Sequence, residues 1–171
     1  MALEAERLKD EGLRLFEDGA YTEAYQHFEI AHQAFVAAGR LLDAAEMLNN
    51  MGVIHRGEGR LSDAARLLEQ AQEVFAEAGD RSREAQTLGN LAPLYSKQNQ
   101  IDRAIETYQK SAEIFEELGD QTRQGEVLMA LGLLQFKHGR RSAGLASYEA
   151  GLMLLDKPTG QQKQLRLMLK L

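Results

Sequence analysis

The 171-residue sequence predicts an all-α fold: a solenoid of four antiparallel helix pairs plus a C-terminal capping helix. Three observations predict it. The chain matches itself at a shift of 40 residues. The matching columns are large and small apolar residues at helical spacing, and Gly or Asn recurs where the chain must reverse. The composition agrees, with Ala, Leu, Glu, Gln and Arg dominant and only two prolines, a usage suited to closely packed helices.

The register is fixed by seven columns. Leu8, Leu48, Leu88 and Leu128 align, as do Gly12, Gly52, Ala92 and Gly132. So do Ala24, Ala64, Ala104 and Gly144, then Phe28, Leu68, Tyr108 and Tyr148. Phe35, Phe75, Phe115 and Leu155 close the units, and two loop columns hold Gly19, Gly59, Asn99 and Gly139, then Gly39, Gly79 and Gly119. A fixed period of this length marks a repeat architecture in which each unit buries its apolar faces against its neighbours. The units run approximately 3–42, 43–82, 83–122 and 123–160, with a terminal helix over 161–171, all in one domain spanning 1–171.

Each unit reads as two helices. The first covers about 3–17, 43–57, 83–97 and 123–137, the second about 22–38, 62–78, 102–118 and 142–156. Thr22, Ser62, Asp102 and Ser142 are read as N-caps of the second helices, because a side-chain oxygen there can accept a free backbone N–H. Gly39, Gly79 and Gly119 suit the left-handed residue just past a helix end. The Gly12 and Ala24 columns are small because paired helices must approach there, and Phe28 or Tyr108 then fills space towards the next unit.

Leu-x-x-x-Gly in the first helix followed by Ala-x-x-x-Phe/Tyr/Leu in the second resembles the tetratricopeptide repeat. The common repeat is about 34 residues long. The longer unit here, with Leu-Gly-Asn-Leu at 88–91 and Gly-Asp at 79–80 and 119–120, is similar to the spindle-orientation Leu-Gly-Asn-repeat proteins, to kinesin light chains and to bacterial regulators with long repeats. The resemblance spans about residues 3–157. The sequence departs from the pattern in lacking an aromatic early in the first helix, in keeping the later Tyr only as Tyr95, and in having no repeat-ending Pro before Pro158.

The resemblance implies a right-handed superhelix whose first helices line a concave peptide-binding groove. Carried over residue by residue, the groove holds Glu6, Glu46, Gln86 and Glu126; Lys9 and Asn49; Asn50 and Asn90; Leu13, Val53, Pro93 and Leu133; and Phe16, Arg56 and Phe136. Asn50 and Asn90 correspond to the residues that hold an extended ligand's backbone, since an amide both donates and accepts. The Glu series would favour a ligand with basic residues, while Lys9, Arg56, Lys97 and Lys137 make the groove mixed and not uniformly acidic. At the positions of a carboxylate clamp stand Lys9, Leu13, Asn50, Gln86 and Asn90; two of the five agree with the clamp pattern, so none is expected. Pro93 removes a helical hydrogen bond and presses on the carbonyl of Gly89, which predicts a kink.

Other chemistry finds little support. His27 and His32 are five apart, His55 and His138 stand alone, and Gly57-Glu-Gly59 lacks a strand-turn-helix context. No enzyme, metal or cofactor is expected. The net charge of −6 disfavours nucleic acid and anionic membranes, and zero Cys removes thiolate chemistry. The N-terminus lacks the pattern of a signal peptide and no run is apolar enough to span a bilayer, so a cytoplasmic location is expected. In the tail, Leu165, Met168 and Leu169 share one helix face, while Leu167 and Leu171 lie partly off it. Residues 161–171 therefore cover the fourth unit yet leave apolar surface over. That surface suits either a continuing array or a second copy, which makes self-assembly through the C-terminal helix the alternative to peptide binding.

Overall fold

The computed structural model describes residues 2–169, so Leu171 lies outside the described residues. Among these it holds nine helices and no strand: α1 Ala2–Glu17, α2 Tyr21–Ala37, α3 Leu41–Gly57, α4 Leu61–Glu77, α5 Arg81–Lys97, α6 Ile101–Glu117, α7 Gln121–Lys137, α8 Arg141–Met153 and α9 Gly160–Leu169. α5 continues through Pro93 to Lys97. The chain groups into two compact units, Met1–Thr87 and Leu88–Leu171.

All seven tight turns are built alike. Gly19, Gly39, Gly59, Gly79, Gly119 and Gly139 have φ between 70° and 81°, and Asn99 has φ 62°. At each, two backbone bonds close the helix end; at Gly39, for example, its N–H donates to Val36 O at 3.0 Å and Arg40 N–H donates to Phe35 O at 2.9 Å. This is the Schellman arrangement, which satisfies carbonyls the helix leaves free.

The expected N-caps are corrected. The second helices start one residue earlier, and Ala20, Arg60, Gln100 and Arg140 hold the cap positions without any side-chain cap bond. One residue after the left-handed turn is enough to redirect the chain, so Thr22, Ser62, Asp102 and Ser142 fall inside the first turn. The side chains that do cap lie elsewhere. Asp80 and Asp120 accept the N–H groups of Arg83 and Arg123, each at 3.0 Å. Thr159 and Gln162 form a reciprocal capping box at α9, at 2.7 and 3.2 Å. Asp120→Ala is therefore expected to cost about 1 kcal/mol and Ser62→Ala less than about 0.5 kcal/mol. Urea unfolding of both variants checks the contrast.

In the first unit, Phe28, Phe35, Met47, Met51 and Ile54 form one buried cluster with Ala5, Ala24, Ala31 and Ala44. Each large side chain buried this way contributes about 1.5–3 kcal/mol. The small-residue columns have the expected cause. A Cβ on Gly12 would sit 2.7 Å from the Phe28 ring, and one on Gly52 would sit 2.8 Å from Leu68. In the second unit α7 and α8 touch backbone to backbone, because a Cβ on Gly132 would meet Gly144 O and Tyr148 N at 2.6 Å each. A further crossing, Gly125 against Gly151, lies in columns otherwise held by Ala5, Ala45 and Ala85 and by Ala31, Ala71 and Ser111.

The last unit departs from the others. α8 ends at Met153 rather than near 156, ahead of Pro158, whose ring and missing N–H cannot continue a helix. α9 then lays Leu165 and Leu169 on Met129, Tyr148 and Leu152. Tyr148 Oη donates to Gln162 O at 3.1 Å and Arg166 Nε donates to Glu149 at 2.8 Å. Burial pushes the Tyr148 phenol above its ordinary value. Met168 is not on the packed face but 61% exposed, a correction that follows from the contact centring between Leu165 and Leu169.

Candidate functional site

Helical spacing gathers polar side chains in the first unit. α3 presents Glu46, Asn49 and Asn50, and the first turns of α5 present Ser82, Arg83, Gln86 and Thr87. With Phe75 from α4 and Asp80 from the turn, they line an open cleft of about 370 Å³.

Arg83 organises this cleft. Its guanidinium donates to Glu46 at 3.2 Å and to Asp80 at 3.1 Å, and lies 5.8 Å above the Phe75 ring. Thr87 Oγ1 donates to Arg83 O at 2.9 Å and stands 3.3 Å from Asn49 Oδ1. Gln86 Nε2 reaches Ser82 Oγ at 3.4 Å. Asn50 is the exception: its Nδ2 is buried and bonds to nothing among the described residues. Leaving such a donor unmade costs about 1–3 kcal/mol.

The Glu series has cationic partners in this unit. Lys9 Nζ lies 3.7 Å from both Glu6 and Glu46. Arg40 bonds Glu6 at 2.5 Å and Asp43 at 2.7 Å, and these bonds, Asp43's first, raise the Arg40 pKa further. Glu6 and Glu46 therefore share their charge with Lys9, Arg40 and Arg83. The same junction is wired twice with opposite polarity. Arg40 and Asp43 occupy the places that Asp80 and Arg83 occupy one unit later, and in both the arginine reaches back to the preceding Glu. The arginine also covers the aromatic that closes the unit, Phe35 at 4.8 Å and Phe75 at 5.8 Å.

Of the expected groove residues, Glu46, Asn49, Asn50 and Gln86 thus come together. Leu13 and Phe16 are instead partly buried against the core cluster, Phe16 edge-on to Tyr21 at 5.4 Å. Val53 and Arg56 are half-buried. In the second unit, Asn90 and Pro93 are half-buried, Glu126 and Leu133 are exposed, and Phe136 lies under the Arg141 guanidinium at 5.7 Å. Phe75, Asp80, Ser82, Arg83 and Thr87 join the cleft from beyond the expected set. The signal was present in the Gly-Asp turn at 79–80 and in the Arg83–Arg123 column.

Three of the four histidines bond within the fold. His55 is buried and stacked on Tyr25 at 4.8 Å, with Nδ1 3.2 Å from Glu58. His32 Nδ1 bonds Ala44 O at 3.0 Å, and His27 Nδ1 bonds Glu23 O at 2.9 Å. Among the described residues no group of three His, Asp or Glu could hold a metal ion. Nor is any helix among them long and apolar enough to cross a membrane.

Residues 43–117 match the family described as tetratricopeptide repeat. The chain is similar in structure to BtubC (BKLC) from P. vanneervenii, with a TM-score of 0.65 and 21% identity over 94% of this chain and 74% of that one. At this identity the likeness is one of fold. No curated protein matches the sequence.

Proposed function

The chain is a tetratricopeptide-type repeat protein, and from that premise we propose that it works by binding an extended segment of another protein, not by catalysis. Repeats of this family mediate protein–protein interaction, and the cleft of the first unit has the chemistry for it. The observation that carries the reading is the buried, unbonded Nδ2 of Asn50 in a cleft whose other polar side chains bond one another. Turning that amide about its soft terminal torsion offers a donor to a ligand's backbone carbonyl and relieves the unmade bond. Glu46 and Asp80 share the Arg83 guanidinium, so the cleft selects for a hydrogen-bonding backbone and not for charge.

Peptides selected on the immobilised protein from a random-sequence phage library provide the test. Asn50→Ala is expected to weaken the selected peptides about tenfold or more, consistent with one buried bond, while the melting temperature is unchanged or higher. Peptides that bind parent and variant equally would sink the reading.

A second reading is self-assembly through the C-terminal helix. It is favoured by the exposure of Met153, Leu167 and Met168, three large apolar side chains at one end of the chain.

A further inference from the structure

The outer face of α2 differs from the corresponding faces of the other second helices. Ile30 is 52% exposed and Val36 48%. The positions equivalent to Ile30 hold Gln70, Lys110 and Ala150, and those equivalent to Val36 hold Ala76 and Glu116, all exposed. At about 100° per residue, Ile30 and Val36 fall within an arc of about 120°, joined through Gln33 by steps of three. Glu23 lies beside Ile30 on this face and Glu29 beside Val36, and α2 contains no Lys or Arg. The face is therefore apolar and acidic, with no cation of its own.

α9 has the opposite character. It contains Lys163 and Arg166 and no acidic residue. Leu165 and Leu169 hold it to the fourth unit, and Leu167, about 160° away around the helix, points to solvent at 65% exposure. Lys163 lies one turn before Leu167 on the same side. Arg166 is engaged by Glu149, which leaves Lys163 as the cation beside the exposed leucine.

We propose that the outer face of α2 is a docking surface for α9 of a second copy of this chain. Leu167 and Met168 pack on Ile30 and Val36, and Lys163 meets Glu29 or Glu23. The proposal rests on the self-assembly reading and adds the receiving surface. A contact between two different faces leaves each copy one face of each kind to offer, so it propagates into chains or closes on itself according to its rotation. It is small, with one exposed charge pair, so it forms at high protein concentration and weakens with salt.

The test is sedimentation velocity of the full chain over a wide concentration range, with Ile30→Glu, Leu167→Glu and their equimolar mixture. Both positions are exposed, and circular dichroism melting checks that each variant folds; Glu29→Lys replaces Ile30→Glu if that variant does not. The parent is expected to associate as its concentration rises. Each variant alone should stay monomeric, and the mixture should give a dimer and nothing larger, because one good face remains on each partner. If Leu167→Glu abolishes association and Ile30→Glu does not, the docking surface is wrong and self-assembly through α9 stands. A parent that is monomeric throughout, or association that neither variant disturbs, overturns both.

Discussion

Gly151→Ala is expected to destabilise the protein by about 2 kcal/mol, whereas Gly89→Ala is expected to stabilise it by up to about 1 kcal/mol. Both glycines lie inside helices of the second unit, where alanine is favoured over glycine by about 1 kcal/mol. They differ in what an added methyl would meet. At Gly89 the nearest atoms are Ser111 Oγ at 3.7 Å and Val127 at 4.0 Å, ordinary contact distances, so the helix gain survives. At Gly151 the methyl would press on the Gly125 carbonyl oxygen and lie 2.8 Å from the Met129 nitrogen. These are backbone atoms of α7, and they can retreat only if the two helices separate. Forcing volume into such a crossing costs about 1–3 kcal/mol or more, which outweighs the propensity gain. Denaturant midpoints of the two variants check the opposite signs. A Gly151→Ala variant as stable as Gly89→Ala would mean that α7 and α8 are not in backbone contact.

The same two glycines show where the sequence was legible. The period, the helix order and the left-handed turns could be read because each repeats a residue with a specific backbone or packing requirement. The Gly132–Gly144 crossing was legible for that reason. Gly125 and Gly151 escaped notice because their columns vary between Ala, Ser and Gly, and only the distances show how tightly the chains meet. The N-caps misled because a hydroxyl or carboxylate near a helix start fits equally at the cap and two residues beyond. A one-residue difference in turn length decides between them.

Four of the nine residues that line the cleft were legible as well. Glu46, Asn49, Asn50 and Gln86 are what the resemblance to the repeat family implies, position by position, for the first helices. Arg83 and Thr87 also lie on α5, but their roles depend on partners 37 and 38 residues away, Glu46 and Asn49. The exchange of Arg40 and Asp43 for Asp80 and Arg83 hid that partnership further, since no column is uniformly basic. Single-column reasoning sees a conflict of charge where the structure shows the same ion pair reversed.

Phe75→Ala is expected to lose about 3–5 kcal/mol of stability and the peptide affinity of the cleft together. Phe75 is only 1% exposed and packs with Ala45, Ala71, Leu42, Leu48 and Val74, so truncation opens a cavity in the first unit. Its ring edge also lines the cleft and carries the Arg83 guanidinium, which in turn holds Glu46 and Asp80. Phe35→Ala separates the two effects. Phe35 is equally buried, occupies the same column and sits under Arg40, but does not line the cleft. Its removal should cost a similar 3–5 kcal/mol. Library-selected peptides, titrated at a temperature where both variants remain folded by circular dichroism, should bind the Phe35 variant nearly as tightly as the parent and the Phe75 variant at least several-fold less. Phe75→Leu should fall between, restoring most of the packing while leaving Arg83 without its aromatic face, a contact worth about 0.5–1 kcal/mol at an exposed site. Equal losses of affinity in the Phe35 and Phe75 variants would show that binding follows overall stability, and the cleft would then have no special part in it.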